Sequence, residues 1–136
     1  MYTYETQVRV RYAETDQMAY VYYGNYATYY EVARVEALRH VGFLYSRLEE
    51  QGVLMPVLEL HCRYIQPARY DDLLTIRVSI PKLPAARIIF DYEIYNEAQV
   101  LLNTGQTTLV FVDQASKRLL RCPQELLTLF EPYFAS

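Results

Sequence analysis

One long segment of the chain has a helical repeat, and four segments with strand-like alternation follow it. Gly24 and Asn25 open the helical segment, and we expect the Asn25 side chain to cap the helix by accepting a free backbone N–H. Gly42 ends the helix, since glycine tolerates a positive φ. The predicted apolar face consists of residues spaced three and four apart: Tyr26, Tyr30, Ala33, Ala37 and Val41. We expect the charged Glu31, Arg34 and Arg39 to lie off this face.

The other long segments alternate apolar and polar residues, which is the two-residue period of a half-buried strand. A first strand precedes the helix and runs through Val8, Val10 and Tyr12. Four further strands are predicted at residues 58–64, 74–80, 88–95 and 101–112. Short helices are expected at residues 45–51 and 124–130.

A strand, a helix and then four strands in succession predict an α+β fold with an antiparallel sheet. The length of 136 residues fits a single domain spanning residues 1–136. The small and tyrosine-rich face of the helix suits burial inside a curved sheet. We therefore expect a five-stranded antiparallel sheet wrapped around one long helix, with a further subunit covering exposed apolar surface.

Composition excludes several classes of function. The net charge of −3 argues against a nucleic-acid partner, whose phosphates require clustered cations. The first residues lack the features of a signal peptide, and no apolar run approaches the roughly 20 residues of a membrane span, so we expect a cytoplasmic protein. Cys62 and Cys122 are expected to be inert thiols. No cluster of residues has metal-ligand spacing, so we expect no metal.

Asp16 is the carboxylate that the residues alone single out. It lies in residues 13–23, which have no clear period, just before the long helix. A helix N-terminus favours negative charge, and loops held against rigid elements often carry function. Aspartate is also a common turn residue, so Asp16 is either a functional carboxylate or the cap of a turn.

Four sequence segments together resemble the 4-hydroxybenzoyl-CoA thioesterase-like family of hotdog-fold proteins. They are VRVRYAETD at 8–16, VYYGNY at 21–26, YEVAR at 30–34 followed by Glu36, and PARYDD at 67–72. The resemblance implies the hotdog fold, which the order of elements also predicts. It further implies an acyl-CoA thioesterase that needs no cofactor, because coenzyme A is part of the substrate. A homodimer or homotetramer with active sites at subunit interfaces is implied as well.

The resemblance also implies roles for individual residues. Asp16 matches the catalytic aspartate of the family, which acts as a nucleophile or as a general base. Tyr12 matches a tyrosine found near the site in some members. Tyr23 stands where many members have histidine, and in members with tyrosine the backbone N–H at this position polarises the thioester carbonyl. Gly24 and Asn25, which follow at the helix start, are expected to contact the substrate.

Two features of the chain bear on the substrate. Lys82 and Arg87 flank a proline-containing connection between strands, and they are the first candidates for binding the phosphates of coenzyme A. Met18 and Ala19 replace glycines found in many relatives, which bears on the loop shape and hence on the acyl preference. The acyl group stays open, and an acyl-carrier protein is a possible alternative carrier.

Two other functions stay open at this stage. A hotdog hydratase or dehydratase would use a histidine paired with a carboxylate, and the loop has no histidine near Asp16. A non-catalytic protein that binds acyl-CoA or an acyl-carrier protein would bind the thioester without turnover.

Overall fold

The computed structural model describes residues 1–135 as seven strands and three helices. The strands are β1 (Tyr2–Arg9), β2 (Val53–Leu54), β3 (Val57–Tyr64), β4 (Leu73–Ile80), β5 (Arg87–Tyr95), β6 (Leu101–Asp113) and β7 (Leu119–Leu120). The helices are α1 (Tyr26–His40), α2 (Tyr45–Glu50) and α3 (Gln124–Phe130). The single long helix and the five long strands are confirmed in their predicted order. The two-residue strands β2 and β7 are additional.

All strand pairings in the sheet are antiparallel, as predicted. The long strands lie side by side in the order β1, β4, β5, β6 and β3. The short β2 and β7 pair with the last residues of β6. Strand β3 therefore forms one edge of the sheet, which matters for the site described below.

Helix α1 packs one face against the sheet. The strands alternate as expected: every second residue of β4 and β5 is buried beneath the helix. Each fully buried aliphatic or aromatic side chain of this kind contributes about 1.5–3 kcal/mol through removal from water. The buried residues of the helix are Tyr26, Tyr29, Tyr30, Ala33, Arg34, Ala37 and Leu38.

The Tyr30 side chain of α1 packs directly on the sheet at Gly105. The Tyr30 ring stacks on the Tyr92 ring, with centroids 4.2 Å apart and planes 11° from parallel. Gly105 is the partner of Tyr92 across the ladder, and a Cβ at Gly105 would overlap the Tyr30 ring. The Tyr30 hydroxyl donates to Asn103 Oδ1. The absence of a side chain at Gly105 thus lets the tyrosine lie flat on the sheet.

The predicted first strand extends too far, and Tyr12 is not part of it. The strand ends at Arg9, and Tyr12 lies in a 3-10 turn (Tyr12–Glu14) with 76% of its surface exposed. The cause is local: the Arg11 N–H donates to the Glu14 carboxylate at 2.9 Å and bends the chain. The Tyr12 ring packs edge-on against Tyr70 instead.

Asn25 does not cap α1 with its side chain, so that prediction is wrong. The backbone is already helical at Asn25, with φ −79° and ψ −13°, because a 3-10 turn (Tyr23–Asn25) leads into the helix. The Asn25 side-chain amide donates to the Glu14 carbonyl oxygen at 2.9 Å. Asn25 therefore ties the helix start to the preceding loop.

Two predictions of side-chain exposure also need correction. Arg34 was expected off the apolar face, but it is 8% exposed, and its guanidinium donates to the Tyr92 hydroxyl at 3.5 Å. Strand β3 was expected to be half-buried. In the single chain it exposes Val57, Leu58 and Leu60, because α1 packs over β1 and β4, towards the other edge of the sheet.

We expect Gly105→Ala to lower the free energy of unfolding by about 1–3 kcal/mol, the usual cost of inserting atoms into a packed core. The added methyl group must displace the Tyr30 ring from the sheet. Urea unfolding followed by circular dichroism measures the change. Thr104→Ala on the same strand is the control, and equal stability of the two variants would contradict the close contact at Gly105.

Candidate active site

A cavity of about 290 Å³ lies between residues 13–23, the start of α1 and the end of β3. Two residues predicted for catalysis, Asp16 and Tyr23, both line it. The remaining lining is largely aromatic and apolar, and includes residues from β3 and the segment after it. These residues are Tyr20, Val21, Tyr26, Tyr64, Ile65, Gln66 and Pro67.

The loop that carries Asp16 is folded back on itself. Thr15 and Val21 form an isolated antiparallel bridge, and the Asp16 N–H donates to the Tyr20 carbonyl at 2.8 Å. The Val21 N–H donates to the Ala68 carbonyl at 2.8 Å, which fixes the loop to the turn before β4. The segment without a sequence period is therefore held by specific backbone hydrogen bonds.

The two carboxylate oxygens of Asp16 have different surroundings. Oδ1 accepts hydrogen bonds from the Met18 N–H at 2.8 Å and the Tyr20 N–H at 3.3 Å. Within residues 1–135, Oδ2 has no hydrogen-bond partner. The first oxygen caps a turn and orients the group, while the second is free to meet a ligand. The interpretation of Asp16 as the cap of a turn is confirmed for Oδ1, and its functional role remains a prediction.

Ala19 shows why glycine suits this loop. Its φ of 63° lies in the left-handed region, where a Cβ is disfavoured and glycine is not. The Ala19 N–H nevertheless donates to the Asp16 carbonyl at 3.0 Å and closes the turn. The chain keeps the tight loop although glycine is absent from it.

The start of α1 offers free donors to the cavity. The first N–H groups of a helix have no acceptor within the helix. Among the described residues, the Tyr23 and Gly24 N–H groups donate to no protein atom, whereas the Asn25 N–H donates to the Tyr22 carbonyl. Gly24 and Asn25 adjoin the cavity but do not line it. The Tyr23 N–H is therefore the free donor on a residue that also lines the cavity.

Tyrosine rings form the walls of the cavity. Tyr64 packs edge-on against both Tyr26 and Tyr23, with centroids 5.2 Å and 6.4 Å away. Its hydroxyl donates to the Tyr23 carbonyl at 3.1 Å and so links β3 to the helix start. Burial, with a smaller effect from Cys62, raises the pKa of Tyr64 to about 12. The hydroxyl therefore remains a donor at neutral pH.

The cations predicted to bind coenzyme A lie elsewhere in the single chain. Arg87 pairs with Val110 at one end of β6, whereas Tyr64 at the cavity pairs with Asn103. These β6 residues are seven positions apart, or about 23 Å at the rise of a strand. Lys82 precedes Arg87 in the same distant connection. Both remain predictions for a site built from more than one subunit.

Arg69, which was not among the first candidates, is a cation in contact with the cavity residue Tyr20. Its guanidinium lies over the Tyr20 ring, 4.9 Å from the centroid, and the two residues form an isolated backbone bridge. The Arg69 N–H donates to the Asp72 carboxylate at 2.9 Å. The PARYDD segment had marked this turn as part of the family pattern, but it did not predict the contact with Tyr20.

Neither histidine of the sequence lines this cavity. The two histidines of the sequence lie elsewhere, His40 at the end of α1 and His61 exposed on β3. Over residues 1–135, no group of three histidine, cysteine, aspartate or glutamate side chains is arranged as metal ligands. No helix in that part of the chain is long and apolar enough to cross a membrane.

An antiparallel sheet packed on one long helix is the arrangement that the resemblance to hotdog-fold proteins predicted. The profile of the thioesterase-like superfamily matches residues 10–130, and the chain belongs to that superfamily. The predicted family, fold and class of enzyme are thereby confirmed.

Sequence relatives agree with this assignment. A putative acyl-CoA thioesterase, YneP of Bacillus subtilis, is 35% identical over 85% of this chain and 84% of its own length. The acyl-CoA thioester hydrolase YbgC of Escherichia coli is 33% identical over 91% of this chain and 92% of its own. Both relatives are named for hydrolysis of acyl-CoA thioesters, which agrees with the thioester hydrolase class of this chain.

Solved structures show the same fold. A DHNA-CoA thioesterase from Staphylococcus aureus superposes with a TM-score of 0.91 at 34% identity, covering 98% of this chain and 90% of its own. A 4-hydroxybenzoyl CoA thioesterase superposes with a TM-score of 0.84 over 95% of this chain and 99% of its own. At 19% identity, the second comparison supports the fold alone.

Proposed function

We propose that the cavity hydrolyses an acyl-CoA thioester to the free acid and coenzyme A, with Asp16 and the Tyr23 N–H as the reacting groups. One observation carries this proposal: the free oxygen of Asp16 and the free N–H of Tyr23 belong to residues that line the same cavity. A carboxylate and an unpaired donor are the two groups that thioester hydrolysis requires.

The Tyr23 N–H serves as the oxyanion donor. The thioester carbonyl oxygen points at the start of α1, where the helix dipole also favours developing negative charge. A single preorganised donor of this kind contributes about 10²–10³-fold in rate in other enzymes. Because the donor is a backbone group, tyrosine at position 23 fulfils this role without histidine.

Asp16 acts through the oxygen that has no protein partner. In one route it attacks the carbonyl carbon and expels the thiolate of coenzyme A, and water then cleaves the resulting anhydride. In the other route it takes a proton from a water molecule that attacks instead, and the tetrahedral intermediate expels the thiolate. Both routes consume one water and return Asp16 to its initial state.

The cavity favours a compact acyl group. Its volume of about 290 Å³ is just below the range for ligand sites, about 300–1,000 Å³. Its walls are mainly the rings of Tyr20, Tyr23, Tyr26 and Tyr64. We propose short aliphatic or single-ring acyl groups as substrates in preference to long chains.

The carrier part of the substrate lies at the mouth of the cavity, beside Arg69. A guanidinium group matches phosphate with two parallel hydrogen bonds. Lys82 and Arg87 are proposed to contact coenzyme A only when a neighbouring subunit brings them to the cavity. An acyl group on a carrier protein presents the same thioester, so the assay below includes both carriers.

A second copy of the chain is proposed to cover the outer edge of β3. This edge leaves backbone hydrogen-bonding groups unpaired, and such edges are templates for pairing with another strand. Its exposed apolar side chains form a continuous patch that includes cavity residues. The patch consists of Val57, Leu58, Leu60, Tyr64 and Ile65. A homodimer built here, with a homotetramer as a larger assembly, would also close the cavity.

We expect Asp16→Asn to lower kcat for thiol release by about 10²–10⁴-fold, the usual contribution of an acid–base group. Asparagine can still accept the hydrogen bonds from Met18 and Tyr20, so the loop keeps its shape. The assay follows free thiol from benzoyl-, butyryl- and palmitoyl-CoA and from the acyl-carrier protein thioesters.

Asp71→Asn is the matched control, since Asp71 is exposed and asparagine tolerates its φ of 67°. Full activity of Asp16→Asn would exclude Asp16 as the reacting carboxylate. Binding of all the thioesters without turnover by the wild type would instead favour a non-catalytic binding protein. Hydration of an enoyl thioester would favour a hydratase.

We expect Leu60→Arg to shift the protein towards the monomer mass of 16.1 kDa in light scattering, because a charge would be buried at the β3 edge. The wild type should show twice that mass or a larger multiple. Leu119→Arg is the control, since Leu119 is exposed on β7 and lies outside the β3 patch. A monomeric wild type would contradict the proposed assembly.

A further inference from the structure

Glu14 stands two residues before Asp16 and is almost buried, with its side chain 13% exposed. Oε1 accepts hydrogen bonds from the Arg11 N–H and from the Tyr29 hydroxyl, both at 2.9 Å. Oε2 accepts from the Arg11 guanidinium at 3.0 Å and 3.2 Å. Both oxygens are thus fixed by the chain itself, unlike those of Asp16.

The backbone carbonyl oxygen of Glu14 also has hydrogen-bond partners within the chain. Its carbonyl oxygen accepts from the Tyr22 N–H at 2.8 Å and from the Asn25 side-chain amide at 2.9 Å. The residue that follows Tyr22 is Tyr23, the proposed oxyanion donor. Glu14 therefore connects three parts of the site. They are the loop segment that leads to Asp16, the loop segment that returns from Asp16 to Tyr23, and helix α1.

The link to the helix is the Tyr29 hydroxyl. Tyr29 lies one turn inside α1 and is 1% exposed. Burial and the neighbouring Glu14 carboxylate raise the pKa of Tyr29, so its hydroxyl stays protonated and donates. Burial alone would raise the pKa of Glu14, but hydrogen bonds from Arg11 and Tyr29 lower it overall, so the acceptor stays charged. Hydrogen bonds to a charged acceptor are about twice as strong as neutral ones.

We propose that Glu14 and Tyr29 are a positioning pair that holds the Asp16 carboxylate at a fixed distance from the Tyr23 N–H. This inference rests on the proposed function of the cavity. Neither residue lines the cavity, so neither is expected to contact the substrate. The pair acts through Asp16 and Tyr23, whose spacing must fit the thioester.

A positioning role predicts an effect on kcat and not on KM. The tyrosine walls and the carrier contacts hold the substrate in the ground state. The Tyr29 ring packs edge-on against the wall residue Tyr26, with centroids 6.0 Å apart, but the hydrogen bond between the Tyr29 hydroxyl and Glu14 includes no wall residue. The spacing of the carboxylate and the donor matters chiefly in the transition state, where a displacement of about 1 Å can cost about 10²-fold in rate.

The first test is Tyr29→Phe, which removes one hydroxyl and leaves the ring in place. We expect kcat to fall about tenfold or more, with KM within about twofold of the wild type. The matched control is Tyr2→Phe. Tyr2 is 2% exposed, and its hydroxyl donates to the Ala37 carbonyl at 2.8 Å, near the other end of α1. We expect Tyr2→Phe to lose about as much thermal stability as Tyr29→Phe, while its kcat stays at the wild-type value.

The second test substitutes Glu14, and it tests the positioning role independently if Tyr29→Phe does not fold. Glu14→Gln keeps an acceptor for Tyr29, whereas Glu14→Ala removes it, so kcat should decline from wild type to Gln to Ala. A double variant, Tyr29→Phe in Asp16→Asn, separates positioning from general stability. With the reacting carboxylate gone, the loss of the Tyr29 hydroxyl should cost much less than in the wild type.

The outcomes distinguish a failure of the proposed function from a failure of the positioning pair alone. Full activity of Asp16→Asn would reject the proposed function, and the positioning role with it. A collapse in Asp16→Asn, together with equal kcat values in Tyr29→Phe and Tyr2→Phe, would reject the positioning pair alone. A rise in KM without a fall in kcat for Tyr29→Phe would also overturn it, because that pattern belongs to a substrate contact.

Discussion

The contact between Tyr30 and the backbone of Gly105 is the constraint on which the arrangement of the site depends. It brings α1 close to the sheet and stacks Tyr30 on Tyr92 at 4.2 Å. Tyr30 lies at the fifth position of α1, so the same contact fixes where the helix begins. The Tyr23 N–H is carried by the turn just before that point. A packing feature of the core thus bears on where the proposed oxyanion donor, the Tyr23 N–H, lies.

The second half of the site comes from a loop that hydrogen bonds fix to the core, through Val21 to Ala68 and through Glu14 to Tyr29. Asp16 depends on backbone hydrogen bonds within its loop and on the bonds of Glu14 to Arg11 and Tyr29. The proposed chemistry therefore requires the loop and the helix start, which Glu14 links, to meet at one cavity. The β3 edge provides the third wall through Tyr64, and its exposed apolar surface explains why we expect a second chain there.

Much of the fold could be predicted because periodicity is a local property. The long helix, the five long strands and the α+β class all follow from repeats of three to four or of two residues. Asp16 and Tyr23 were predicted for the site from two neighbouring segments of the sequence, and both line the cavity. The predictions that Tyr12 lies in the first strand and that Asn25 caps α1 were wrong. In both cases hydrogen bonds to Glu14 outweighed the arrangement that the local pattern favours. The position of Arg69 beside Tyr20 depends on tertiary contacts, which no local pattern contains.

Hydrogen bonding of the Tyr23 N–H to the thioester carbonyl can be observed directly by NMR. The sequence contains two adjacent tyrosine pairs, Tyr22–Tyr23 and Tyr29–Tyr30, so tyrosine labelled with ¹³C at the carbonyl and ¹⁵N at the amide gives two linked amide signals. A substrate analogue with a methylene in place of the thioester sulphur keeps the carbonyl and resists hydrolysis. We predict that saturation with it moves the Tyr23 amide proton downfield while the Tyr30 signal, inside α1, stays in place. An unchanged Tyr23 signal in the saturated complex would contradict the proposed role of the helix start.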